Sequence, residues 1–232
     1  MNTPIQAIKV QRLYLQVAGQ LRDLINNGTF VAGGRLPAER DLAEQFGVSR
    51  PTIREAMIAL EISGLVEVRS GSGVYVLEQE SAPTPLTDSE APGPFEILEA
   101  RRLIESDTAA LAATRISPEQ LAELEQLLLE MERGDLPVED AEAADQRFHC
   151  LIADASGNSA LSATVAWLWQ LRNESEISTR FHRRVREEGS RPIVEDHRLI
   201  HRALADGDGN AARGAMTAHL QRVIDSLLNP QD

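Results

Sequence analysis

Leu36-Pro37-Ala38-Glu39-Arg40-Asp41-Leu42-Ala43-Glu44-Gln45-Phe46-Gly47-Val48-Ser49-Arg50-Pro51-Thr52-Ile53-Arg54-Glu55-Ala56-Met57-Ile58-Ala59-Leu60-Glu61 reads as two short helices around a tight turn. Pro37 has the fixed φ that suits a first helical turn. Leu42, Ala43 and Phe46 give that helix one apolar face. Gly47 permits a left-handed turn, and Ser49 is placed to cap the helix that follows. In that second helix Ile53, Ala56, Met57 and Leu60 recur at spacings of three and four and face a core. Arg50, Thr52 and Arg54 are left near its exposed N-terminal end, where a recognition helix presents side chains to the major groove. Gly64 stops the helix. Leu65–Val68 and Val74–Leu77 then read as two short strands around the polar tip Arg69-Ser70-Gly71-Ser72-Gly73. Two helices, a tight turn and a hairpin that can lie along a phosphate backbone make a winged helix-turn-helix, so the stretch predicts DNA binding.

Residues 10–77 resemble the N-terminal domain of the GntR family of bacterial regulators, most closely over Leu36 to Val76. The resemblance implies that Arg40, Ser49, Arg50, Thr52 and Arg54 contact double-stranded operator DNA, with Ser70 and Gly71 at the wing. Upstream, residues 9–27 read as a first helix, with Leu13, Val17, Leu21, Leu24 and Ile25 at helical spacing and Asn27-Gly28 ending it. Phe30 to Gly34 reads as a turn.

A net charge of -13 looks unsuited to a DNA-binding protein until it is divided along the chain. Residues 1–78 hold eight basic and eight acidic side chains, while residues 79–232 hold 15 and 28, so the acidity belongs to the second part. A neutral reading head beside an acidic body binds nonspecific DNA weakly and depends on a few placed arginines. Lys9 is the single lysine.

The chain is long enough for two modest domains. Ser81-Ala82-Pro83-Thr84-Pro85 and Ala91-Pro92-Gly93-Pro94 mark a linker. The expected division is 1–78 for the reading head, 79–94 for the linker and 95–232 for an all-helical body. The fold class is therefore mainly α, a winged helix-turn-helix followed by an all-α bundle. Helices are expected over about 95–114, 118–133, 137–156, 158–187, 191–206 and 209–228. Leu121, Leu124, Leu127, Leu128 and Met131 form an amphipathic stripe suited to a core or a dimer contact. No apolar run approaches the roughly 18 residues of a membrane span. The N-terminus lacks a basic-then-apolar signal pattern, so the expected location is cytoplasmic. One cysteine, Cys150, excludes an intrachain disulfide and reads as a small packed hydrophobe.

The chemistry concentrates in the second part. Asp145 and His149 are four apart on a predicted helix and share a face. His197 lies on the next-to-last helix and His219 on the last. One carboxylate with neutral imidazoles makes an N/O donor set for a divalent transition metal, Zn²⁺ first, with Ni²⁺ or Mn²⁺ as alternatives. Spacing alone leaves the ligand set open, because His201 is four residues from His197. The alternative reading is that these histidines are merely hydrogen-bonded on packed helices.

Residues 95–228 also resemble the all-helical C-terminal (FCD) domain of the FadR subgroup of GntR regulators, in its metal-binding form. Its pattern, an Asp-x-x-x-His pair and one His on each of two later helices, implies Asp145, His149, His197 and His219, and leaves His201 and His182 outside. On the opening helix, Ile97, Arg101, Ile104, Thr108 and Leu111 share one stripe, which turns Arg101 inward. Glu105 can answer it structurally; the functional reading is that Arg101 clamps a carboxylate effector at the metal. Gly93 to Arg101, Trp167-Leu168-Trp169 and Asp196-His197 look most like the hexuronate-utilisation repressors of this subgroup, with Gln170 to His182 departing from them. That resemblance implies a homodimeric repressor released from a palindromic operator by a sugar acid such as fructuronate or tagaturonate. The alternatives are a regulator sensing lactate or a dicarboxylate, and a metal-dependent enzyme acting on sugar acids; the expectation is a regulator and no enzyme.

Overall fold

The structure is a computed structural model and describes residues 12–69, 71–78, 92–133, 137–175, 177–179, 182 and 194–228. The chain divides between residues 91 and 92 into two compact units. Ser70 and most of the expected linker lie outside the described residues.

In the first unit, α1 (Leu13–Asn26), α2 (Glu39–Phe46) and α3 (Arg50–Ile62) precede an antiparallel hairpin of β1 (Val66–Arg69) and β2 (Gly73–Val76). The buried face of α1 runs through Tyr14, Val17, Ala18, Leu21 and Ile25. Leu13, counted on the apolar stripe from sequence, is instead exposed. On α3 the expected core face holds: Ile53, Ala56, Met57 and Leu60 are all buried. Pro37 lies before the cap rather than in the first turn of α2, because Ala38 is extended at ψ 147° and is itself the N-cap. Gly47 ends α2 in the left-handed region at φ 65°, and Ser49 Oγ caps α3 by accepting from Thr52 N at 3.3 Å.

The hairpin pairs Val66 with Val76 and Arg69 with Gly73. Both edges of this small sheet are answered. Along β2, Gly33 and Gly34 of the predicted turn and the nearby Leu36 supply backbone partners: Gly33 N donates to Val76 O, Val76 N to Gly34 O and Leu36 N to Val74 O. Along β1, Val68 N donates to the Glu61 carboxylate on α3 at 3.0 Å. At the hairpin end, the Arg35 guanidinium lies against Gly73 so closely that a Cβ there would stand 2.5 Å from Arg35 Nε.

The described part of the second unit is helical: α4 (Pro94–Ala113), α5 (Pro118–Glu132), α6 (Val138–Ala155), α7 (Ser159–Glu174), α8 (Val194–Ala205) and α9 (Gly209–Leu228). Local chemistry sets the starts. Ser117 and Gln120 form a reciprocal capping box around Pro118, and Asn158 Oδ1 accepts from Ala160 N and Leu161 N at the head of α7. The long helix expected over 158–187 ends earlier, at Glu174.

α4 packs along α9 and also meets α6 and α7; α8 packs on α5 and α9. Their shared core holds Ala109, Leu124, Leu128, Phe148, Ile152, Ile200, Met216 and Leu220. The stripe Leu124, Leu127, Leu128 and Met131 is part of that core. Small residues let α4 and α9 approach closely: a Cβ on Gly209 would stand 2.8 Å from Ala110 O. No described helix is long and apolar enough to cross a membrane.

Candidate metal centre and nucleic-acid interface

Three helices bring four ligand-type side chains together. Asp145 and His149 come from successive turns of α6, His197 from α8 and His219 from α9. One donor atom from each lies within 4.8 Å of the others. His197 Nε2 meets Asp145 Oδ1 at 2.7 Å, and His149 Nε2 stands 3.6 Å from the same oxygen. The His197 and His219 rings are 4.3 Å apart between centroids, and His149 is 5.3 Å from His219. All three imidazoles are buried, and Phe148 edges against His197.

The arrangement fits a metal ion on two counts. His149 Nε2 is buried with no hydrogen-bond partner, which costs free energy unless something else uses its lone pair. The donor set of three imidazoles and one carboxylate is also the one that borderline divalent ions accept.

The surrounding groups hold these ligands in register. His149 Nδ1 pairs with Glu105 Oε2 at 2.5 Å, and Glu105 Oε1 accepts from Arg101 Nε at 2.6 Å. Burial opposes charge on Glu105, but Arg101 and His149 outweigh it and hold the carboxyl at about 2. Burial likewise opposes ionisation of Asp145, yet the adjacent His149 imidazole and the hydrogen-bonded His197 keep it well below the usual carboxylate range. His219 goes the other way: burial, with His197 and His149 nearby, brings it down to about 4 despite the opposing pull of Asp196. Burial, with Glu105 and Asp154, pushes the Cys150 thiol up to about 11, so Cys150 is no thiolate donor.

Arg101 is turned inward, as its place in the apolar stripe predicts, with only 4% of its side chain exposed. Its guanidinium stacks over the buried Trp169 ring at 3.8 Å, and Trp169 in turn lies 5.6 Å from His149. Only Nε is engaged by Glu105, so neither Nη nitrogen has a hydrogen-bonding partner among the described residues. His201 stands apart from the cluster. His201 Nε2 faces Leu121 O at 3.1 Å and Nδ1 stands 3.8 Å from Glu125, and His182 is not among the gathered ligands.

Sequence reading missed Asp196 and Arg222. Asp196 on α8 stands 3.6 Å from His219 Nδ1 and is forked by Arg222 from α9. Arg222 falls three residues after His219, a faint sign that the two share a face. Nothing in the sequence says that Asp196 meets them.

In the first unit, Arg40 and Arg50 are exposed, Arg40 with 86% of its side chain free and Asp41 at 3.6 Å. Ser49 and Thr52 share a 2.8 Å hydroxyl contact at the start of α3. Arg54 is half-buried and forked onto Glu39, Nε to Oε1 at 2.9 Å and Nη2 to Oε2 at 2.6 Å, which ties α3 to α2. Gly71 is exposed at the hairpin tip in the left-handed region, at φ 66°. Beside it, Arg69 stacks on Tyr75 and pairs with Glu67.

Comparison with known proteins agrees with both units. Residues 13–76 match the bacterial regulatory proteins of the gntR family, and residues 96–222 match the FCD domain. The Exu regulon transcriptional regulator of Escherichia coli K12 is 37% identical over 94% of this chain and 86% of its own. The Uxu operon transcriptional regulator of the same organism is 38% identical over 96% and 89%. A solved GntR-family transcriptional regulator from Pseudomonas syringae pv. tomato covers 94% of this chain and 85% of its own with a TM-score of 0.52; at 20% identity it speaks for the fold alone. With a winged helix-turn-helix in the first unit and an all-helical FCD domain in the second, the chain belongs to the gntR family of bacterial regulatory proteins and is a DNA-binding transcriptional regulator.

Proposed function

We propose that this regulator is a homodimeric, cytoplasmic repressor of sugar-acid catabolism genes, and that a hexuronate-type carboxylate bound at a metal-loaded second unit releases it from operator DNA. The observation that carries the reading is the joining of the ligand cluster to an arginine with uncommitted donors, through Arg101, Glu105 and His149. Asp145, His149, His197 and His219 would hold the ion. Zn²⁺ is the first choice by donor type, and Ni²⁺ and Mn²⁺ are the alternatives. When bound, the ion would supply a positive centre that binds oxygen donors. Charge balance favours an anionic ligand there. Glu105 is matched by Arg101 and Asp196 by Arg222, so a divalent ion against Asp145 alone leaves one net positive charge. An effector carboxylate would answer it, and Arg101 would grip that group with its Nη nitrogens. The Exu and Uxu names of the relatives support a uronate as the acid.

Binding rather than turnover is favoured because the two further carboxylates at the cluster, Glu105 and Asp196, are each tied to an arginine and not poised as a base. On the DNA side, Arg40, Ser49, Arg50, Thr52, Arg54, Ser70 and Gly71 are proposed as the contacting residues. Arg54 would contribute partly by fixing α3 on α2 through Glu39.

The test is a thermal-shift panel of uronates and simple carboxylic acids, with and without a chelator, followed by operator-release titrations. Stabilisation by one uronate that disappears on metal removal, with release from DNA, is the expected result. A shift with lactate or a dicarboxylate alone would discard the hexuronate assignment, and product formation from any of these acids would favour an enzyme. In His219→Ala, metal content and effector response should fall while operator binding persists; full metal occupancy in that variant would refute the ligand set.

A further inference from the structure

Two of the three histidines at the centre are backed by the same sequence of groups. Behind His149 stands Glu105 and behind Glu105 stands Arg101, all buried. Behind His219 stands Asp196, and behind Asp196 stands Arg222. The first series has an evident consequence. Glu105 takes His149 Nδ1, and the ring's other nitrogen is left facing the cluster without a partner.

The second series is built alike from different helices. Arg222 grips Asp196 with two nitrogens, Nε to Oδ2 at 2.7 Å and Nη2 to Oδ1, so the carboxylate cannot swing. Asp196 is buried, and Arg222 is its ion-pair partner. His219 Nδ1 is buried, lacks a hydrogen-bond partner and faces Asp196 Oδ2 at 3.6 Å. A neutral imidazole carries one proton, and a fixed carboxylate on the Nδ1 side selects the tautomer with that proton on Nδ1.

We propose that Asp196 and Arg222 are positioning residues of the metal centre: Arg222 fixes the Asp196 carboxylate, and Asp196 fixes the His219 ring with its proton on Nδ1 and its other nitrogen free for the ion. This rests on the metal-centre reading above. The two relays differ in one respect that makes the second testable. Arg101 is shut inside the bundle, whereas Arg222 has 48% of its side chain exposed, so it can be changed without opening the core.

The competing role is purely structural, a staple between α8 and α9. The two are separated by measuring metal affinity and apo-protein stability on the same variants of the full chain. Zn²⁺ affinity is read by competition with a chromophoric chelator, and site geometry by the visible spectrum of the Co²⁺-loaded protein. Asp196→Asn should weaken affinity on the order of 10–100-fold and alter the Co²⁺ bands. Arg222→Gln should change both in the same direction by less, with Arg222→Lys recovering part of the loss. Lower apo-protein stability with wild-type affinity and an unchanged Co²⁺ spectrum would make the pair a staple and overturn the proposal. Should Asp196→Asn fail to fold, the half-exposed Arg222→Gln decides alone. His219→Ala separates the two levels: wild-type affinity there would remove the metal reading itself, whereas lost affinity there beside intact affinity in both Asp196→Asn and Arg222→Gln would remove only the relay.

Discussion

The two units handle arginine in opposite ways. In the first, Arg40 and Arg50 project into solvent from a surface that is electrically neutral in sum. In the second, Arg101 is shut in a helical bundle against Glu105 and Trp169. An exposed cation costs little to keep and acts through a field that salt screens within about 8–10 Å. A buried cation is tolerable only with its partner in place, and its effect depends on geometry. One unit is therefore suited to meeting a polyanion that arrives from outside, and the other to detecting a small change in the groups around a fixed charge.

The contrast can be broken most severely at Glu105. Glu105→Ala strands Arg101 and releases His149, and should destabilise the second unit by about 3–5 kcal/mol in chemical denaturation. A loss below 1 kcal/mol would mean that Arg101 escapes to solvent and that its burial is not constraining. Metal removal comes next. An ion present at about 100 times its Kd contributes about 2.7 kcal/mol, so chelation should lower the melting transition of the second unit and leave that of the first in place. Equal shifts in both transitions would contradict the assignment of the ion to the second unit.

On the exposed side, Arg50→Ala should cost about 1–3 kcal/mol of affinity at the cognate operator, measured by fluorescence anisotropy, with no change in melting temperature. Unchanged affinity would remove Arg50 from the contact set. The smallest effect should come from Ser49→Ala, about 1 kcal/mol of stability in the first unit from the lost cap on α3. A loss above 3 kcal/mol would show that Ser49 holds more than the helix end.

How much of this was legible in the sequence follows from how far apart the cooperating residues are. The turn Gly47–Ser49, the cap and the core face of α3 are local, and all were readable. Asp145 and His149 are also local, one turn apart on α6. His197 and His219 were legible as candidates on the last two helices, but spacing could not choose between His197 and His201, and family resemblance made that choice; the structure takes His201 to Leu121 and Glu125 instead. The end of α7 was missed because Asn173-Glu174-Ser175 contains neither Gly nor Pro. Ser175 turns extended at ψ 121°, and the Thr179 hydroxyl takes the carbonyl of Asn173 that the helix gives up. The relay of Asp196 and Arg222 was unreadable for a different reason: it exists only once α8 lies against α9. The third partner in the small sheet, residues 33–36, only the first two of which fall in the predicted turn, is not legible because a few backbone hydrogen bonds leave almost no mark on side-chain pattern.

Gly209 acts as a spacer far from the centre it serves. It rests on the backbone of Ala110, where the start of α9 meets α4. Those two helices carry the opposing arms of the centre, Arg101 and Glu105 on one, His219 and Arg222 on the other. Ten residues separate Gly209 from His219, about 15 Å along a helix. A methyl group inserted there acts as a wedge at one end of two levers, tilting His219 and Glu105 relative to each other without touching either. The tolerance of the candidate metal centre for substitution is thus set in part by a position with no functional group at all.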